Sequence, residues 1–384
     1  MNNDVSETTL RRLEQNDPTL TCLVVRSTSR NDGDFCPNDK VGLSRFSNAI
    51  AANTHVHSLS FDRSGIGPLG NFSHSDRAIF WGGLKRNTSI KTLVMGSCDF
   101  SEGIGREISR EFVVDNANLE KIFGVDIRGG IDVLSSSLAR CTNLRFILLF
   151  SSAIDDGDVE ELVSGIRGLH RLKKLSMTQN AIGRTGCEAL ATLFRDPNYN
   201  LEKIALEFNN IDDDCATILA NSLKDNSKLK CVSINPSNHT ITGRGWEAFA
   251  NILCNESSVN ATYLSNHALY GLGKDDENNP TVPPKLSSLL ELNQNTDKKC
   301  VAIQKILRHH SHLDMMPLLE WDLKVLPIAV SWFDRARGYS RNGEENNVDA
   351  KKLSSIYQFV RALPLMFVPP TKKAGEKRKI DNIN

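Results

Sequence analysis

Apolar residues recur along the chain in a fixed phase. Leu201-Glu-Lys-Ile204-Ala-Leu206-Glu-Phe-Asn209-Asn-Ile211 places apolar side chains at positions 1, 4, 6 and 11 and an Asn at position 9. The same arrangement stands 29 residues earlier at Leu172, Leu175, Met177, Asn180 and Ile182. Forward, Leu229, Val232 and Ile234 follow after 28 residues, and Val259, Thr262 and Leu264 after a further 30. Backward from Leu172, the pattern restarts at Leu144, Leu119, Ile90, Val56 and Leu20, with steps of 28, 25, 29, 34 and 36. About nine units in one phase predict a repeat array, numbered here from the unit beginning at Leu20.

In a short strand alternate side chains share a face, so positions 4 and 6 point into a core while 3, 5, 7 and 8 face outward. Asn180 and Asn209 at position 9 can satisfy backbone groups where the chain leaves the strand; Ser64, Cys98, Ser152 and Ser237 hold that place elsewhere and predict a less regular ladder. The second half of each unit has helical spacing, as in Cys187, Leu190, Leu193 and Phe194, in Cys215, Ile218, Leu219 and Leu223, and in Trp246, Phe249, Ile252 and Leu253. Asp212, Asp213 and Asp214 stand where carboxylates cap a helix. The expected fold is α/β: a right-handed β/α solenoid, or horseshoe, with a parallel concave sheet. Over roughly residues 18–270 the pattern resembles the ribonuclease-inhibitor-like class of leucine-rich repeats, also carried by many NOD-like receptors. That resemblance implies a protein-binding scaffold and leaves the partner open, because the class hosts many unrelated binders.

The array is uneven. Residues 28–40 and 63–76 are rich in turn formers and predict loop insertions on one rim. Residues 1–17 form a separate N-terminal segment, and 271–284 a polar, Pro-rich linker. Helices are expected across 285–368: one from Leu286, a second over about 297–308, a third from Leu318 to Ala336 interrupted by Pro327, and a fourth from Leu353 to Phe367. This block reads as a helical C-terminal cap or as a small domain beside the array; solenoid ends expose apolar surface and need covering. From Gln304 to Arg361 it resembles the C-terminal block of a group of algal leucine-rich-repeat proteins, a resemblance that carries no activity. Residues 369–384 read as a basic tail, in which Lys372 to Lys379 is either a nuclear import signal or a solvated end.

Charge and chemistry narrow the function. The 46 basic and 46 acidic residues balance, so no net field draws nucleic acid or a membrane surface. The N-terminus lacks an apolar signal region and no run suits a membrane span, which points to the cytoplasm, or the nucleus if the tail is read. Nine scattered cysteines without a CxxC pair suggest free thiols in a reducing compartment. Gly65 to Gly70 lacks the Lys-Ser/Thr of a phosphate loop, and Asp155-Asp156-Gly-Asp158 lacks the full ligand series of a calcium loop and falls where caps belong. His309, His310 and His312, near Asp314, have no HExxH pattern or spaced Cys partner and are expected to form a polar helix end. No catalytic motif is present, so the expectation is a protein that is not an enzyme and needs no cofactor or metal.

The outward positions carry the functional expectation. In units seven and eight they are small or polar: Lys203, Ala205, Glu207, Cys231, Ser233 and Asn235. In units three to five they are Val94, Phe123, Val125, Phe146, Leu148 and Phe150, with Phe208 further along. Exposed aromatic groups of this kind anchor protein partners. The primary expectation is a non-catalytic interaction module binding a protein on its concave face. An alternative is a regulator of an enzyme such as a small GTPase, since the activators of the GTPase Ran share this repeat type, although those end in an acidic tail; another is innate-immune-type recognition.

Overall fold

The computed structural model describes residues 2–310 apart from 27–30, 62–68, 102, 115, 235–240 and 274–281. Its strands are β1 (Cys22–Val25), β2 (Asp34–Phe35), β3 (Ser58–Phe61), β4 (Thr92–Gly96), β5 (Lys121–Val125), β6 (Phe146–Phe150), β7 (Lys174–Ser176), β8 (Lys203–Ala205), β9 (Cys231–Ser233) and β10 (Gly271–Leu272). All pair in parallel in a single ten-stranded sheet, ordered β10-β9-β8-β7-β6-β5-β4-β3-β1-β2. From β3 to β10 successive strands are neighbours, so each connection climbs one step; β2 lies on the outer side of β1, which itself pairs with β3. The expected α/β horseshoe is the fold.

Helices α1 (Asn2–Glu14), α2 (Lys40–Ala52), α3 (His74–Arg86), α4 (Gly103–Glu107), α5 (Ile131–Leu138), α6 (Asp156–Ile166), α7 (Arg184–Phe194), α8 (Asp213–Ser222), α9 (Gly243–Leu253) and α10 (Val259–Tyr263) alternate with the strands; a π-helical turn, Ile108–Val113, follows α4. The core lies between sheet and helices: Leu59, Leu93, Ile122, Ile147, Leu175, Ile204 and Val232, all at position 4, are buried. Asp155 caps α6 by accepting from the Asp158 amide, and Asp212 caps α8 through the Cys215 amide, the roles expected of them. The next residue in each case reaches forward one unit. Asp156 accepts from the Gly183 and Thr185 amides, and Asp213 from those of Thr242 and Gly245, so each cap also stitches two repeats.

Two columns of side chains hold the turns. Asn180 accepts from Ser152 and Ile154 amides and donates to the Leu149 carbonyl; Asn209 accepts from Ile182 N and donates to Met177 O and Leu206 O. Ser152 keeps part of this pattern, accepting from Ile127 N. The second column stands three residues before position 1. Asn53, Asn87, Asn226 and Asn266 each accept from the amide of that first residue, and Asn87 and Asn266 donate to carbonyls of the preceding unit.

This second column corrects the ninth unit. Val259, Thr262 and Leu264 do not begin a strand; Val259–Tyr263 is helix α10, capped by Ser258. The strand residue is Leu272, with Leu269 at position 1 behind Asn266. Thr262 is buried because its hydroxyl bonds Asn255 O and the His310 ring, not because it lines a strand. The 28–40 insertion also holds more than a loop: β2 extends the sheet there, and Phe35 is buried, stacked at 4.4 Å on Phe46. α1 closes this end, with Leu10 and Leu13 buried and Arg45 bridging Glu7 and Glu14.

At the other end stand α11 (Pro284–Asn293) and α12 (Lys298–His309). Asn293 is buried and donates to Asn266 O and Leu269 O, continuing the second column beyond the last strand. Lys305 is fully buried, its ammonium donating to Leu253 O at 2.6 Å, with Asn266 O and His267 Nδ1 within reach. Burial brings Lys305 down to about 7, and burial with the nearby Lys305 charge brings His267 down to about 4. The third and fourth expected helices, the basic tail, His312, Ser64, Ser237, Asn235 and most of the glycine loop lie outside the described residues.

Candidate protein-binding site

The outward face of β4, β5 and β6 brings the apolar residues into rows. Val94 pairs with Phe123 and Phe123 with Leu148 along position 5; Val125 pairs with Phe150 along position 7. Beneath them Leu93, Met95, Ile122, Ile147 and Leu149 are buried, so the outward side chains have no core to enter. Val94, Phe123, Phe146 and Leu148 are half-buried, whereas Val125 is 45% exposed and Phe150 42%. A wide apolar stripe therefore lies open on the sheet face away from the helices.

One glycine shapes the middle of the stripe. Gly124 occupies position 6, where β4 has Met95 and β6 has Leu149. A Cβ there would stand 2.1 Å from Ile127 Cδ1. Ile127, at position 9, is buried and fills the space a larger position-6 side chain takes in other units. The fourth unit thus exchanges its turn Asn for a core Ile. Three residues after Ile127, Gly130 caps α5 in a left-handed conformation (φ +61°), with Phe100 backbone packed where a Cβ would be.

Phe208 stands apart from the stripe, at position 8 of unit seven. Position 8 is left-handed in five successive units: Ser97, Asp126, Ser151, Gln179 and Phe208 have φ between 49° and 60°. That turn aims the chain out of the sheet while the Ser97, Asp126, Ser151 and Gln179 amides still bond the next unit, as Gln179 N does to Glu207 O. An aromatic residue is disfavoured there by roughly 1–2 kcal/mol. Phe208 nevertheless holds the place and is 49% exposed. Glu207 beside it accepts a hydrogen bond from Thr178.

The sheet edge next to the stripe is basic. Lys121, Phe146, Lys174 and Lys203 are neighbours along position 3. The Phe146 ring has Lys121 Nζ 5.4 Å from its centroid and Arg145 Cζ at 6.0 Å. Lys91, Glu120, Arg145 and Arg171 line a shallow depression on the same rim with Asn118 and Asn143. Glu120 is paired with Lys91, and Glu202 sits between Lys173 and Lys230, whose ammonium groups hold its carboxyl well down, to about 2. Among the described residues no carboxylate lies within ion-pair distance of Lys121, Arg145, Lys174 or Lys203. This basic flank was not singled out from the sequence, although Lys at positions 2 and 3 recurs in Leu172-Lys-Lys, Leu201-Glu-Lys and Leu229-Lys.

The sheet, the phased apolar positions and the Asn columns define a leucine-rich-repeat solenoid. The leucine-rich-repeat family signature matches residues 169–191. The chain is 27% identical over 153 residues to mouse NACHT, LRR and PYD domains-containing protein 5, and 26% identical over 148 residues to protein 3 of that group from cattle. These matches cover 38% and 37% of this chain but only 13% and 14% of those relatives. Its strand–helix units are leucine-rich repeats, and over the matched stretches they are similar to those relatives. Among solved structures an internalin from Listeria monocytogenes aligns over 71% of this chain and 94% of its own at 12% identity, with a TM-score of 0.30, too low to add to the fold. No helix of the described residues is long and apolar enough to cross a membrane.

Proposed function

We propose that this protein is a non-catalytic interaction module whose open sheet face binds a protein segment that is both apolar and acidic. The apolar stripe with its exposed Val125 and Phe150 carries the reading. Soluble surfaces seldom leave contiguous apolar area uncovered without a use. The partner's charge follows from the flank: Lys121, Arg145, Lys174 and Lys203 would meet carboxylates on a segment seated across the strands. Aromatic and aliphatic side chains of that segment would pack on Phe123, Leu148 and Phe150. Likeness to the repeats of NACHT, LRR and PYD proteins favours a recognition role of this general type.

A random-peptide display selection against the full chain tests both halves of the proposal. Selected peptides should combine Asp or Glu with large apolar residues. Their binding should fall at least tenfold with Phe150→Ala, about 1.4 kcal/mol or more, and should weaken with added salt and with Lys174→Glu plus Lys203→Glu. Phe150→Ala should leave the melting temperature in place, because the ring is 42% exposed. Enrichment of basic peptides, or binding indifferent to these variants, would overturn the assignment.

A further inference from the structure

The end of the array brings together three side chains that the sequence keeps far apart. Cys254 is the residue at which α9 ends; Glu256 lies two residues on, before α10; His309 is the last residue of α12. Their ligand atoms, Cys254 Sγ, a Glu256 carboxylate oxygen and a His309 ring nitrogen, all lie within 4.8 Å of one another. Among the described residues this is the cluster of His, Cys and carboxylate groups that converges in this way. The sequence showed no Cys spaced to serve the histidines; the fold supplies one from the repeat array.

We propose that Cys254, Glu256 and His309 form a transition-metal site, best suited to Zn²⁺, that ties helix α12 to the last repeats. The donor set is one thiolate sulfur, one imidazole nitrogen and one carboxylate oxygen. Zn²⁺ accepts all three, at about 2.3, 2.0 and 2.1 Å respectively, and leaves a fourth tetrahedral position for water. Ligand atoms around such an ion stand roughly 3.3–3.8 Å apart, within the 4.8 Å spread of the three groups. Ca²⁺ and Mg²⁺ prefer all-oxygen sites and are disfavoured by the sulfur and nitrogen.

The surroundings suit a cation that arrives when conditions allow. His309 Nδ1 already lies 2.9 Å from Glu256 Oε1, so two of the donors are held on one another. Lys285 Nζ also reaches that oxygen at 3.0 Å, but Lys285 is 66% exposed and its pair is easily given up to solvent. Cys254 is 4% exposed, and burial holds its thiol above the usual range. Metal binding would break the S–H bond, form an S–metal bond and release the proton to water. Lys305, one turn before His309 on α12, is the other cation nearby; it is engaged with Leu253 O, next to Cys254. The ion would therefore reinforce a junction already made by Lys305 and Asn293, adding a link between the segment after α9 and the end of α12.

Cobalt(II) titration of the full chain after chelator treatment tests the site. One Co²⁺ should bind per chain, with the thiolate-to-cobalt charge-transfer band of a sulfur ligand, and Zn²⁺ should displace it and raise the melting temperature. Cys254→Ser and His309→Asn should each abolish the band while the metal-free variants melt with the metal-free wild type. A band that survives either substitution, coming from another thiol such as Cys36 or Cys300, overturns the proposal, as does the lack of saturable binding by the folded wild type. Should Cys254→Ser impair folding, His309→Asn and Glu256→Gln, both at partly exposed positions, carry the same test.

Discussion

Units three to five and units six to eight run in the same strand register but spend their outward positions differently. In the later units position 5 holds Ser176, Ala205 and Ser233, and units six and seven carry Asn180 and Asn209 at the turn. In the earlier units position 5 holds Val94, Phe123 and Leu148, and the turn residue is Cys98, Ile127 or Ser152. The regular half satisfies its backbone with side-chain amides. The irregular half gives up part of that ladder, and in unit four inserts Ile127 into the core beneath a glycine. Departure from the repeat consensus and the row of outward-facing apolar side chains therefore fall on the same strands, where local consistency has yielded to the demands of a surface.

Breaking the regular half should produce the largest effect. Asn180→Leu leaves the Ser152 and Ile154 amides and the Leu149 carbonyl without their partner. A loss of about 3 kcal/mol is expected, read by urea denaturation. The irregular half can be made regular instead. Gly124→Leu alone should cost about 1–3 kcal/mol, because the new side chain meets Ile127. Adding Ile127→Asn should recover most of that loss, giving a strong coupling in a double-mutant cycle; additive losses would show that the two positions do not share one space. Smallest of all, Phe208→Asn should stabilise the chain by about 1 kcal/mol, since Asn tolerates the left-handed backbone better than Phe. If Phe208 is kept for contact, the same variant should bind selected peptides less well than wild type while melting higher.

Much of this was legible before the fold was known. Strand phase is read directly from Leu, Ile and Met at positions 4 and 6, because a one-residue slip would turn every buried side chain outward. The apolar stripe follows from the same phase. The Asp caps were equally plain. What escaped were features whose signal crosses units. The Asn column before position 1 is one of these, and without it the spacing of Val259, Thr262 and Leu264 imitates a strand, although α10 uses these residues in a helical turn with a buried Thr262 hydroxyl. Asn266-His-Ala-Leu269 carried the correct signal. The basic flank was missed because each Lys is ordinary in its own unit and becomes a row only when the strands are placed side by side.

The reach of Asn293 into the carbonyls of Asn266 and Leu269 has a consequence for cooperativity. In a linear array each unit is coupled to its neighbours, and an end unit with one neighbour is the first to fray. Because α11 offers the same amide side chain that the repeats offer one another, the last strand is an interior member of the column. Melting from this end must therefore begin in the helices and pass through Asn293 before it reaches β10. In hydrogen exchange the amides of β10 should open only after those of α11, so that α11 and α12 set how long the sheet behind them stays protected.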